Sequence, residues 1–166
     1  MADDSHRPMD DLYAGPTFLI RRAHQIATSV FQEACADLDL TPTQYSLLFV
    51  LRHRSPVSQN ELGRYACLDR ATTSLVVRLL RERGLIAAAD DERDKRKTLL
   101  SLTSAGRLLL GRAEQLSTKA SRDLLSVFDE AQARTFVGLL DMLATGHGGR
   151  GVEYKGETVR TGLRWS

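Results

Sequence analysis

Ser58-Gln59-Asn60-Glu61-Leu62-Gly63-Arg64-Tyr65-Ala66-Cys67-Leu68-Asp69-Arg70-Ala71-Thr72-Thr73-Ser74 contains two helix starts in close succession. Ser58 followed three residues later by Glu61 is a capping box: the hydroxyl accepts from the backbone at Glu61 while the carboxylate reaches back. A short helix from Ser58 to about Ala66 follows. Asp69 caps a second helix, expected to carry Leu75, Val76, Leu79 and Leu80 on its inner side and to end at Gly84, where a left-handed residue is needed. Two short helices joined by a tight connection form a helix-turn-helix, with the second offered to a major groove.

The opening of that second helix suits nucleic acid. A bulky apolar residue there would block close approach to base edges. The hydroxyls of Thr72, Thr73 and Ser74 can serve bases or phosphates, and a Thr methyl can meet a thymine methyl. The positive end of the helix dipole at the same place favours phosphate. The plainer alternative is that these are exposed cap-region residues with no partner.

Beyond Gly84, the stretch Leu85 to Ala89, the charged tip Asp90 to Lys97 and the return Thr98 to Leu102 predict a two-stranded hairpin. Arg93, Lys95, Arg96 and Lys97 fill four of five consecutive positions at its tip, on a projection narrow enough for a minor groove. Arginine gains there from the concentrated negative potential. Asp94, two residues before Arg96, falls on the same side of a strand and can hold the guanidinium in place. Mixed charges at a turn also suit a loop that only stays solvated.

On the N-terminal side, Thr41-Pro42-Thr43-Gln44 supplies a capping hydroxyl, a proline at the first helical position and a Gln at the third, opening a helix to about Arg54. Before it, Pro16 and apolar residues at spacings of three and four from Leu19 to Leu38 mark a long helix, roughly 16–38. Residues 1–11 read as a flexible arm. After the hairpin, Thr103 caps a leucine-bearing helix to about Phe128, and Asp129-Glu130-Ala131-Gln132 caps a last one to about Ala144. Residues 147–166, including Trp165, read as a flexible tail. The fold class is mainly α with a small β-hairpin, an α+β order, in a single domain over 12–146.

A chain of 166 residues, 42% hydrophobic and 27% charged, sits among ordinary globular proteins. No stretch approaches the roughly 18 apolar residues of a membrane helix, and the acidic start lacks the blocks of a signal peptide. A cytoplasmic location is expected, with no membrane partner. The net charge of +2 hides an asymmetry: residues 1–51 hold three basic and seven acidic side chains, residues 52–97 eleven basic and seven acidic. A basic middle is what a phosphate-facing segment requires.

Cys35 and Cys67 are too few and too far apart for a disulfide framework or a CxxC metal site. They read as buried thiols, with a redox switch as the rival. His6, His24, His53 and His147 are scattered without ligand spacing, so no metal and no cofactor is expected. No Gly-rich phosphate loop or nucleophile elbow is present, which argues against an enzyme.

The run Leu68 to Leu80, then Arg83-Gly84-Leu85-Ile86, Asp91-Glu92-Arg93-Asp94-Lys95-Arg96 and Leu102-Thr103-Ser104-Ala105-Gly106 resembles, in order and spacing, the signature of the MarR (multiple antibiotic resistance regulator) family. The resemblance spans about Leu12 to Ala144, and its most specific parts are the wing and the Leu-Thr-x-x-Gly segment. It implies a winged helix-turn-helix over about 41–102, dimerisation helices at about 16–38 and 103–144, and a repressor released from its operator by a small ligand. It also implies major-groove contacts from Arg70, Thr72, Thr73, Ser74 and Arg78. Arg96, oriented by Asp94 and flanked by Arg93 and Lys95, would enter the minor groove, and Ser58 and Gln59 would meet phosphates. Where the family usually has proline after the first wing aspartate, this chain has Glu92.

The implied homodimer agrees with the sequence, since Phe18, Ile26, Phe31, Leu124, Leu125, Phe136, Leu139, Leu140 and Leu143 exceed what a small winged-helix body covers. Two-fold symmetry then calls for a pseudo-palindromic duplex site with half-sites about 10 bp apart. The resemblance places the effector between the dimerisation helices and the DNA-binding lobe. Polar candidates there are Arg21, Arg22, His24 and Gln25 on the first helix and Tyr45, Arg52 and His53 on the second. Arg21 and His24 share a helix side and can hold a carboxylate while Tyr45 or Phe49 stacks on a ring, the plainer alternative being ordinary surface or interface positions. The segment from Leu12 to Gln25 resembles members controlling aromatic-acid catabolism, including nicotinate-type substrates. A non-DNA winged-helix interaction module is the remaining reading.

Overall fold

The computed structural model describes residues 8–92, 94 and 97–146. In chain order the described elements are α1 (Pro8–Ala14), α2 (Pro16–Ala34), a 3-10 turn (Ala36–Leu38), α3 (Pro42–Arg54), β1 (Val57–Ser58), α4 (Gln59–Tyr65), α5 (Arg70–Glu82), β2 (Ile86–Asp90), β3 (Thr98–Leu102), α6 (Ser104–Leu125) and α7 (Glu130–Gly146).

Local chemistry sets most of the boundaries. At α3, Gln44 N–H donates to Thr41 Oγ1 at 3.2 Å and Thr41 N–H to Gln44 Oε1 at 3.0 Å, with Pro42 following the cap. The reciprocal pair recurs at α7, where Gln132 N–H donates to Asp129 Oδ1 at 2.9 Å and Asp129 N–H to Gln132 Oε1 at 3.0 Å. Helix α5 ends in a Schellman turn: Leu85 N–H bonds Leu80 O, Gly84 N–H bonds Arg81 O, and Gly84 has φ of 67°. At that φ a Cβ would be strained, so glycine belongs there.

Leu47, Leu48 and Leu51 of α3, Leu62 of α4, Leu80 of α5 and Leu110 of α6 are fully buried and form one core. Each such side chain stabilises the fold by about 2 kcal/mol. The core lies between the helix-turn-helix and the first half of α6, so α4 and α5 are held on one side of a rigid body.

Four expectations change. The hairpin is part of a three-stranded antiparallel sheet of order β1-β3-β2, because Val57 pairs with Leu100 and Ser58 with Leu99. Residues 8–11, expected in the arm, belong to α1, where Asp10 and Asp11 complement the positive end of the helix and Tyr13 meets Phe18 of α2 at 5.3 Å; residues 1–7 lie outside the described region. The long first helix stops at Ala34, after which Asp39 at φ 46° turns the chain so that Leu38 and Leu40 are both buried. Helix α6 ends at Leu125 rather than Phe128, with Ser126 Oγ bonded to Asp123 O.

The expected tail, 147–166 with Trp165, also lies outside the described residues. Phe31 and Leu125, expected at a dimer contact, are instead buried within the chain. Ile26, Leu139, Leu140 and Leu143 are exposed, as are Leu19, Ile20 and Met142.

Candidate DNA interface and effector region

The helix-turn-helix is held by its caps. Ser58 N–H and Oγ both donate to Glu61 Oε2, at 3.1 and 2.6 Å, and these bonds hold the Glu61 carboxylate below its ordinary range. At α5 the Thr72 hydroxyl donates to Asp69 Oδ2 at 2.6 Å and the Thr72 N–H to Oδ1 at 2.8 Å, which depresses the Asp69 carboxyl in the same way. The Thr72 proton is thus committed to the cap, leaving its oxygen lone pairs and its methyl for a base edge.

Thr73 departs from expectation. Its side chain is only 2% exposed, and its hydroxyl donates to Asp69 O at 2.7 Å. A Cβ placed on Gly63 of α4 would come within 2.6 Å of Thr73 Oγ1, so the two helices cross where one residue has no side chain. Thr73 sets the angle of the helix-turn-helix and does not face a groove.

The inner side of α5 is therefore Thr73, Val76, Val77 and Leu80, whereas Leu75 and Leu79 are exposed. Rotating the helix this way turns Arg70, Ala71, Ser74, Arg78 and Arg81 outward. Ser74, Arg78 and Arg81 line a cleft of about 650 Å³ together with Gln59, Ala87 and Ala88. Arg78 also lies 3.8 Å from Glu82, an exposed i,i+4 pair too weak to hold it from another partner. Arg81 was not among the expected contacts; the i,i+3 step from Arg78 was the available signal.

At the wing, Asp91 N–H donates to Lys97 O and Lys97 N–H to Asp94 O, each at 2.8 Å, closing the base of the turn. Arg93, Lys95 and Arg96 lie outside the described residues, and with them the expected pairing of Asp94 and Arg96.

The effector candidates fall into two groups. Tyr45, Phe49 and His53 form a run of tilted ring contacts along α3 with centroids 5.9 and 4.6 Å apart, and Phe31, expected at the dimer contact, extends it with its ring 5.4 Å from Tyr45. Burial raises the Tyr45 hydroxyl above its ordinary pKa of 10.0, a hydrogen bond with Ser117 opposes this and nearby Glu114 adds to it, so Tyr45 is a neutral phenol near pH 7. Arg52, beside these rings, donates to Glu114 at 2.8 Å and ties α3 to α6. On α2, Arg21 donates to Gln25 at 3.2 Å and lies 5.0 Å over the Phe18 ring. His24 shares a side of α2 with Phe31, two turns or about 10 Å away.

The winged-helix segment, residues 38–97, matches the sequence model of the MarR family. The HTH-type transcriptional repressor NicR of Pseudomonas putida is 38% identical over 92 residues, 55% of this chain and 58% of that protein. The alignment thus spans little more than half of that relative. A probable transcriptional regulator from Pseudomonas aeruginosa superposes with a TM-score of 0.76 at 35% identity, over 80% of this chain and 98% of that one. The chain belongs to the MarR family.

A second similar structure is BpsR of Bordetella bronchiseptica, whose DNA binding is regulated by 6-hydroxynicotinic acid; it has a TM-score of 0.75 and 28% identity over 80% of this chain and 94% of that one. Membership of the MarR family makes the chain a winged-helix transcriptional regulator and not an enzyme. A thiol switch fits this MarR chain poorly at Cys35, which is fully buried and whose thiol burial pushes up, away from the reactive thiolate. Among the described residues no group of His, Cys, Asp and Glu is placed to hold a metal, and no helix is long and apolar enough to cross a membrane.

Proposed function

We propose that the chain acts in the cytoplasm as a homodimeric repressor that binds a pseudo-palindromic operator and is released by a small aromatic or phenolic carboxylate. The observation that carries the reading is the orientation of α5: burying Thr73 presents Arg70, Ser74 and Arg78 on the outer face, with the wing beside them. The exposed apolar side chains of α2 and α7 supply the self-complementary contact of a two-fold dimer.

The effector class rests on the run of rings from Tyr45 to His53, extended by Phe31, and on similarity to BpsR. An aromatic ring stacks on Phe49, its phenolic or ring hydroxyl meets Tyr45, and Arg21 or His24 takes the carboxylate. Such a ligand releases DNA only through different affinities for the two dimer arrangements. Arg96, held by Asp94, enters the minor groove, and Ser58, Gln59, Arg93 and Lys95 contact the backbone.

The test is footprinting of the purified protein on the DNA upstream of its own coding region, with light scattering for its mass. Protection of two half-sites about 10 bp apart by a dimer is expected, and millimolar 6-hydroxynicotinate or a hydroxybenzoate should abolish it. Strictly monomeric protein, or indifference to every duplex at low salt, overturns the reading.

A further inference from the structure

Resting on that reading, the outermost line of α5 holds one side chain whose chemistry differs from its neighbours. At 3.6 residues per turn, the side chains opposite the buried set Thr73, Val76, Val77 and Leu80 are Ala71, Leu75, Arg78 and Glu82. All four are exposed. Leu75, at 48% exposure, is the one large apolar member of that line. A half-exposed leucine is ordinary on a protein surface, so its meaning comes from its place. It follows Ser74 directly and shares a helix side with Ala71 and Thr72 in the turn before it and Arg78 in the turn after it.

Those neighbours identify what covers it. Arg70, Arg78 and Arg81 are exposed on the same helix. An apolar protein surface seated on Leu75 would strip water from these cations and return nothing to them. The major groove offers both things at once: acceptor atoms on the base edges and, where the base is thymine, an exposed C5 methyl group.

Leu75 has neither a donor nor an acceptor. Set against guanine O6 or the cytosine amino group, it would desolvate a polar atom without bonding it. Set against thymine, it covers an apolar group with an apolar group. The Thr72 hydroxyl proton is already committed to Asp69, so the Thr72 methyl and Ala71 continue the apolar line toward the start of the helix.

We propose that Leu75 determines specificity for thymine at one position of each half-site by packing on its C5 methyl group. Ser74 and Arg78, on the flank of the same helix, read the polar edges beside it. The preference at that position is thus set by apolar contact and by the penalty on every other base, not by a hydrogen bond.

The test exchanges thymidine for deoxyuridine, which pairs identically and lacks only the methyl group. Fluorescence anisotropy with the full chain on its footprinted operator is measured with each thymidine and its symmetry mate exchanged in turn. Loss of one buried methyl group lowers affinity about 4-fold, so one exchanged pair should cost the wild type about 15-fold. Leu75→Ala should be indifferent to that exchange, and Leu75→Met, which keeps apolar volume, should retain most of the sensitivity.

If no thymidine proves sensitive in the wild type, or the sensitivity survives in Leu75→Ala, Leu75 does not read the methyl group. If Leu75→Ala instead lowers the particle mass in light scattering, the leucine belongs to a contact between copies and the proposal fails. If the wild type binds no duplex, the regulator reading fails first and this inference with it.

Discussion

Gly106 lies so close to Leu85 that a Cβ built on it would sit 2.1 Å from the Leu85 carbonyl oxygen. The same carbonyl accepts from Thr103 N–H at 3.1 Å, and Thr103 Oγ1 donates to Gly84 O at 2.7 Å. The first turn of α6 is thereby pressed onto the chain where α5 passes into the wing, which gives the Leu-Thr-x-x-Gly segment a physical reason. Gly106→Ala must shift backbone and should cost about 2 kcal/mol, in the range of core overpacking. Gly111→Ala in the same helix meets nothing within 4 Å and should gain about 0.5 kcal/mol. Urea unfolding midpoints of the two variants check both signs.

Thr73 and Ser74 are neighbours with opposite fates, one buried and one exposed. Thr73→Ala should lower stability by about 1 kcal/mol through lost packing while leaving the ranking of operator variants unchanged. Ser74→Ala and Arg78→Ala should leave the unfolding midpoint nearly unmoved and change which base substitutions are tolerated, by about 1 to 3 kcal/mol per position. Competition binding against a panel of single-base operator variants separates the two behaviours.

Arg83 links the end of α5 to the turn after α2, donating to Asp39 O at 2.5 Å and to Leu38 O at 2.9 Å. The side chain is on an exposed residue, so solvent screening holds the loss in Arg83→Ala to about 1 kcal/mol. Operator affinity should fall further than this stability loss accounts for, because α5 is untied from the turn that follows α2. Arg83→Lys, which reaches fewer acceptors at once, should lie between. Paired denaturation and anisotropy measurements test the difference.

Cys67 stands in the turn between α4 and α5 with φ of 54°, a conformation that side-chain-bearing residues rarely adopt. Cys67→Gly should be more stable than Cys67→Ala by about 1 kcal/mol. Equal midpoints for the pair would show that the turn is not strained.

Acid should loosen the helix-turn-helix through its caps. Glu61 and Asp69 are depressed below their ordinary 4.5 and 3.8 by hydrogen bonds from Ser58 and Thr72. A depressed carboxyl stabilises the fold above its unfolded pKa, and that contribution is lost as the pH falls through the folded value. Stability should therefore be level from pH 7 to about 5 and decline below about 4.5. Ser58→Ala should flatten part of that decline and cost about 1 kcal/mol at pH 7. Guanidinium midpoints across pH 3 to 7 provide the check.

Much of this protein was determined by contacts within four residues. The caps at Thr41, Ser58, Asp69, Thr103 and Asp129, and the left-handed stop at Gly84, are local bonds that the order of side chains specifies, and all of them form. The family was legible for the same reason, since its signature is a series of such local devices.

Only the tertiary structure decided which side of each helix faces what. On α5, Leu75, Val76, Leu79 and Leu80 and the true inner set Thr73, Val76, Val77 and Leu80 both repeat at helical spacing. Choosing between them required Gly63, whose missing side chain admits Thr73 but stands on another helix. The third strand, the Arg83 tie and the contact of Phe31 with Tyr45 likewise join residues distant along the chain. Periodicity carries the spacing of a face, and only the neighbour packed against it fixes its direction.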